Sequence, residues 1–423
     1  MGVKGLETLV RVAWQIVQLS GYVLLSPIFW VLVLIIGYQY ARMGRIKTYL
    51  FGVRDSSVLR VTLISILLGI AGGLLGSVLM VLFGVTLPQE GIYYILILAV
   101  VLMLVHPRFL CFAYAGGLLS IISLTLGVPR FNVPHLMALV AILHLIESIL
   151  IWCSGHLDAL PIYTRNTRDQ EVGGFNLQKF WPVPLIVLTI TTGITPQEGL
   201  AMPEWWPLLN PGEIDPVNSI FTLVPAVVGL GYGELALTVS PRQRSERSAQ
   251  ILALYSFFLL SLAVAASYYP VLSWAAALFA PLGHEFVVYR SQREEMEGAP
   301  RYLRTLKGVM LLDVIRPSPA YAAGLRGGDV IFALGDRPIR SRLDLVQALY
   351  SVPDPFRVGY WRTHVLNREE VSEKQCWTTL YRSEVESLGL ILVPGYGGEK
   401  YLEFQTAGHF SRWIARWKAR WQR

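Results

Sequence analysis

The chain has 423 residues, long enough for two or three domains of ordinary size. Hydrophobic residues make up 53% and charged residues 15%, against roughly 25% charged in a soluble globular protein. With a mean hydropathy of +0.48, this excludes disordered, collagen-like and disulfide-scaffold classes, while the net charge of +7 asks for an anionic partner surface.

The charges are unevenly spread. Residues 1–289 hold 15 basic and 14 acidic groups, whereas the last 134 residues hold 21 basic and 15 acidic groups. The first part reads as a membrane domain and the second as a water-soluble one. Cys111, Cys153 and Cys376 are dispersed, with no CxxC and no His/Cys cluster in the sequence, so spacing alone points to no disulfide and no metal.

Residues 1–21 form an amphipathic segment, with Glu7, Thr8, Arg11, Gln15 and Gln18 on one stripe. It is expected either to lie along a membrane interface or to pack one face on a bundle. Apolar runs follow at residues 22–40, 61–87, 92–105, 109–128, 132–153, 180–195, 217–239, 249–269 and 270–288. A span needs about 20 apolar residues, so residues 22–289 are expected to form a helical bundle of eight or nine spans. Residues 92–105 and 180–195 are short, and the latter carries Pro182 and Pro184, which marks both as candidate re-entrant or hairpin segments. Loop charge sets the orientation. Twelve basic residues, among them Arg42, Arg45, Arg108, Arg165, Lys179 and Arg242, fall in one set of loops, and only Arg130 in the other. The positive-inside rule then expects the basic loops and the soluble part, residues 290–423, to be cytoplasmic. His144, Glu147, Glu234 and Glu285 lie in apolar runs and read either as a transport pathway or as interhelical hydrogen bonds.

After a linker at 290–302, residues 303–365 alternate strand, turn and helix signals. An apolar strand at 308–314 precedes SPAYAAGLRGGDVIFALGDRPI at 318–339, then a helix at 342–351 and a strand at 356–362. This wording resembles a PDZ domain of the bacterial type, a small α+β fold. The resemblance implies a peptide-binding groove, with a partner segment added as a strand beside Gly308, Val309, Met310, Leu311 and Leu312. Its side chains would fall against Leu343, Val346 and Tyr350 of the following helix. Several of these apolar residues serve equally well as domain core. Two further strands, at 375–382 and 388–394, are expected in an extension at 366–408.

In the tail at 409–423, Arg412, Arg416, Lys418 and Arg420 interleave with Trp413, Trp417 and Trp421 at helical spacing. This pattern fits a helix on anionic lipid better than a nucleic-acid contact, since no nucleic-acid fold accompanies it.

His284-Glu285 begins like a zinc-protease motif, but position 288 is Val, so the second ligand is absent; no GxSxG occurs either. The layout as a whole resembles the MinJ-like family of bacterial division-site membrane proteins. The similarity rests on the basic first loop, residues 106–117 (HPRFLCFAYAGG), 232–236 (YGELA), 282–285 (LGHE) and the C-terminal PDZ-like segment. It implies a multi-pass cell-membrane scaffold at septum and poles, without catalysis or cofactor. Such a scaffold links a polar scaffold protein to the Min system and the divisome. The alternatives are a membrane protease or its regulator, and a transporter using Glu147 or Glu234.

Overall fold

A computed structural model describes residues 3–52, 58–86, 89–192, 202–212, 219–365, 371–382 and 388–395. Its first part holds eight helices: α1 (Val3–Leu25), α2 (Pro27–Phe51), α3 (Val58–Phe83), α4 (Gln89–Val105), α5 (Phe112–Leu126), α6 (Val133–Ser154), α7 (Pro241–Tyr268) and α8 (Leu272–Glu297). Three strands lie between α6 and α7: β1 (Leu160–Arg165), β2 (Glu171–Thr192) and β3 (Ser219–Ala236). Five helical stretches are long and apolar enough to cross a membrane, namely Glu7–Leu25 of α1 together with α2, α3, α6 and α7. α4 and α5 are shorter apolar helices. Helix α1 buries Val12, Ile16 and Val23 against Val81, Ile186 and Leu188, so its apolar face packs on the bundle.

The expectation of eight or nine helical spans is corrected here, because two of the apolar runs are strands. Residues 180–192 belong to β2 and residues 219–236 form β3, paired antiparallel from Phe175↔Ala236 to Thr192↔Ser219. The physical reason is local. Proline inside a helix removes a hydrogen bond and clashes with the preceding turn. Residues 186–192 are mostly β-branched, which favours a pleated surface.

Beyond its pairing with β1 at residues 171–176, the same edge of β2 lies against α2 and α3, and its polar groups at residues 180–186 are accounted for one by one. Phe180 N donates to Tyr40 Oη at 3.1 Å, and Ile186 N donates to Ser77 Oγ at 2.9 Å. Alternate residues of a strand present their N–H to the same edge. Positions 182 and 184, which face the same way, are prolines and have no donor to satisfy. Their carbonyls press on the α3 backbone at Gly69 and Gly73, where an added Cβ would lie 2.2 Å and 2.1 Å from the oxygens. Glycine lets a strand edge with no strand partner on this side lie directly on a helix, in surroundings where an exposed edge would be costly.

The C-terminal part contains β4 (Val309–Val314), α9 (Pro319–Ala322), β5 (Val330–Leu334), β6 (Arg337–Pro338), α10 (Arg342–Ser351), β7 (Phe356–Val365), β8 (Val371–Leu380) and β9 (Leu390–Leu392). These elements match the sequence expectation closely. The sheet order is β8-β7-β5-β4-β9, with β6 paired to β5, so the strands assigned to an extension join the same sheet as the rest. α8 continues to Glu297 and takes up the first half of the expected linker. A core of Leu311, Ile331, Leu334, Leu345, Ala348 and Val358 sits under α10. Asp329, 2% exposed, accepts from Arg362 Nε at 2.8 Å and Nη2 at 2.6 Å, closing β5 onto β7. Arg362 is held above its ordinary range by these hydrogen bonds.

Candidate functional site

The strand expected to offer a docking edge, β4, is paired on both sides. β4 pairs with β5 through Val309↔Ile331 and Met310↔Val330, and with β9 through Leu311↔Leu392 and Val314↔Leu390. One edge of β4 is therefore held by β5 at Val309 and Met310, and the other is covered by β9 from Met310 onward. The next strand outward, β9, is the sheet edge among the described residues. Val393 N donates to Met310 O, so odd-numbered residues of β9 face β4, and Leu390 and Leu392 turn their backbone groups outward.

Leu311 and Leu312 are fully buried, Gly308 and Val309 are buried, and Met310 is half-buried. Leu311 belongs to the core under α10, whereas Leu312 packs with Ile391, Val393 and Tyr163 in the core of the helical part. On α10, Leu345 and Ala348 face the core. Leu343, Val346 and Tyr350 are 63%, 42% and 87% exposed, leaving an apolar stripe at i, i+3 and i+7.

A cleft of about 170 Å³ opens where the N-terminus of α10 meets the end of β9. Gly308, Val309 and Met310 line it together with Arg304, Arg340 and Arg342, and it has no acidic lining residue. Ser341 and Asp344 form a capping box that starts α10 beside it. Asp344 accepts from the Arg340 backbone N–H and from Ser341, and these bonds hold its carboxyl below the usual range. The residues of the expected lipid-binding tail, Arg412, Trp413, Arg416, Trp417, Lys418, Arg420 and Trp421, lie outside the described residues.

The two parts of the chain touch at this edge. Tyr163 of β1 donates its hydroxyl to Leu392 O at 2.6 Å. Replacing Tyr163 with phenylalanine removes a bond worth about 1 kcal/mol. Amide exchange at residues 390–393 is then expected to speed up roughly fivefold, read by hydrogen–deuterium exchange on the full chain.

Glu234 is committed to structure. It accepts from Arg244 Nε at 2.8 Å and from Ser291 Oγ at 2.6 Å, and Ser248 also donates to it. Sequence reasoning missed its partner carboxylate. Glu295 falls in the expected linker, yet it is 3% exposed and accepts from Leu237 N, Thr238 N and Thr238 Oγ1, with Arg244 Nη1 at 3.3 Å. A strand-to-helix corner has to satisfy its own backbone donors, and that is the signal that marks Glu295.

Glu285 pairs with Arg108 at 3.0 Å and accepts from Tyr114 Oη at 2.6 Å. Next to it, His284 of α8 meets His144 of α6 and Cys111, the residue that caps the start of α5. Their Nε2, Nε2 and Sγ atoms all lie within 4.8 Å of one another. The chain positions are 33 and 173 residues apart from Cys111, so no sequence spacing betrays the cluster.

No family model matches the chain. It is 23% identical over 352 residues to the cell division topological determinant MinJ of Bacillus subtilis (strain 168), covering 79% of this chain and 85% of that protein. It is also 37% identical over 82 residues to the serine protease Do-like HtrA of Lactococcus lactis subsp. lactis (strain IL1403), covering 19% of this chain and 20% of that protein. The first alignment is longer than either part of the chain alone. Distant similarity to MinJ thus runs through both the helical part and the sheet-rich C-terminal part.

Proposed function

We propose that this chain is a non-catalytic membrane scaffold that recruits division-site selection proteins through its C-terminal module, which we read as a PDZ-like domain. The observation that carries this reading is the extent of the similarity to MinJ, 85% of that protein's length, across both membrane and soluble parts. The likeness to HtrA, confined to a fifth of that protein, supports a shared docking module rather than a shared reaction.

Within this reading, a partner segment adds as an extended strand along the outer edge of β9. Its main chain bonds to the outward groups of Leu390, next to the Leu392 carbonyl held by Tyr163, and its side chains meet the exposed stripe of α10. The C-terminal module is cytoplasmic, the helical part anchors it as a multi-pass protein, and the basic tryptophan-rich tail lies on anionic lipid. The partners are a polar scaffold protein and components of the Min system and the divisome.

Loss of the chain in its host is expected to misplace septa, and a fluorescent fusion is expected to concentrate at septum and poles. Normal septum placement with an even membrane distribution would sink the proposal. A photo-crosslinker at Leu390 should capture a division protein, and the capture should fail when Leu392 is also replaced by proline.

A further inference from the structure

Cys111, His144 and His284 bring one sulfur and two imidazole nitrogens together. His144 Nδ1 lies 2.7 Å from Val140 O, and a carbonyl only accepts, so the ring proton sits on Nδ1. Its Nε2 is therefore a bare lone pair, and it points at Cys111 Sγ from 3.1 Å. His284 Nε2 approaches the same sulfur at 3.6 Å, while its Nδ1 is buried without a hydrogen-bond partner. Either tautomer of His284 leaves a buried polar atom unsatisfied, which native interiors rarely tolerate.

A cation at the centre would engage the three ligand atoms that face one another, the sulfur and one nitrogen of each ring. Tetrahedral zinc, with Zn–S of about 2.3 Å and Zn–N of about 2.0–2.1 Å, spaces sulfur from each nitrogen by about 3.6 Å. The His284 separation of 3.6 Å matches that edge, and the His144 separation of 3.1 Å has to open by about half an ångström to admit the ion. The outer contacts also suit a metal. The Val140 carbonyl fixes the His144 tautomer, and Ala113 N donates to the sulfur at 3.4 Å, which favours a thiolate. Tyr114 and Tyr255 stand edge-on to His284, with ring centroids at 5.2 Å and 5.8 Å, and wall the cluster with aromatic rings. Glu285 is already neutralised by Arg108 and does not compete. Glu147, one turn beyond His144 on α6, supplies a further carboxylate nearby.

We propose that Cys111, His144 and His284 form a binding site for a late first-row transition-metal ion of zinc or copper chemistry, clasping the start of α5 to α6 and α8. Thiolate with two imidazoles selects such ions over calcium and magnesium, which want oxygen ligands. The site is independent of the scaffold reading and stands whether or not the chain acts in division.

The test uses the full chain, purified in detergent without chelator. Elemental analysis is expected to find about one zinc or copper ion per chain in the unaltered protein and in Cys153→Ser and Cys376→Ser. Cys111→Ser, His144→Ala and His284→Ala should each lose it. Cobalt(II) added to the chelator-stripped protein should give thiolate-to-cobalt absorption and tetrahedral visible bands that Cys111→Ser abolishes. Stripping should lower the thermal midpoint of the unaltered chain, and zinc should restore it. Failure of the unaltered chain to retain an ion or develop cobalt bands, or bands that survive in Cys111→Ser, would overturn the site even if a variant misfolds.

Discussion

Replacing Arg244 with alanine is expected to destabilise the helical part by about 3–5 kcal/mol, among the largest effects of any single substitution in the chain. The guanidinium is 3% exposed on its side chain and lies between two carboxylates, Glu234 at 2.8 Å and Glu295 at 3.3 Å. It also donates to the Ser291 backbone carbonyl at 3.0 Å. Removing it leaves Glu295, which is almost fully buried, with no countercharge and Glu234 with only hydroxyl donors. Arg244→Lys keeps the charge but not the planar fork that reaches all three groups, so it should recover only part of the loss. Thermal unfolding in detergent checks both variants. Substituting Glu295 with glutamine separates the charge from the hydrogen bonds, because its amide oxygen can still accept from Leu237 N and Thr238 N. A loss no larger than that of an exposed surface pair, below about 1 kcal/mol, would show that the network is not the clasp described here.

The second large effect is expected from Gly69→Ala combined with Gly73→Ala on α3. In a transmembrane helix these are ordinarily mild changes, and alanine is the better helix former by about 1 kcal/mol per site. Here each new methyl would meet a backbone carbonyl of β2, Pro182 O at 2.2 Å and Pro184 O at 2.1 Å. Backbone on both sides cannot give way as a flexible side chain would, so each site should cost about 1–3 kcal/mol of overpacking. The hairpin should lift off α3, freeing the Ser77 hydroxyl and exposing Ile186 N to exchange. Faster amide exchange along β2 and a lower thermal midpoint are the expected readouts. Gly44→Ala on α2, where nothing lies within 4 Å of an added Cβ, is the control that should be neutral or slightly stabilising.

Some of this was legible in the residues. The alternation of apolar and turn signals from Gly308 to Arg362 placed β4, β5, α10 and β7 close to where they lie, because each is decided by its own periodicity and by the glycines between. The stop of the short helix before Gly324, at φ +79°, was likewise written in the chain. The β2–β3 hairpin was not read as strand, because a run of apolar residues with no alternation carries no period that separates a buried strand from a buried helix. Pro182 and Pro184 were the available signal, and they marked the segment as irregular without naming the alternative. That β9 covers the β4 edge expected for docking is not legible in the sequence, for a different reason. Which strand ends a sheet is a matter of pairing between distant segments, and three residues of β9 some eighty positions after β4 cover the edge that the local pattern left open.

The sequence by itself determined that this protein divides into a charge-poor apolar part and a charge-rich C-terminal part. It also determined the order of elements in the latter. Those properties follow from composition and from contacts within a few residues. The tertiary structure alone decided that Arg244, Glu234 and Glu295 share one buried network, that β9 rather than β4 faces outward, and that Cys111, His144 and His284 meet. Each depends on helices or strands far apart in the chain, where spacing in sequence holds no information about distance in space.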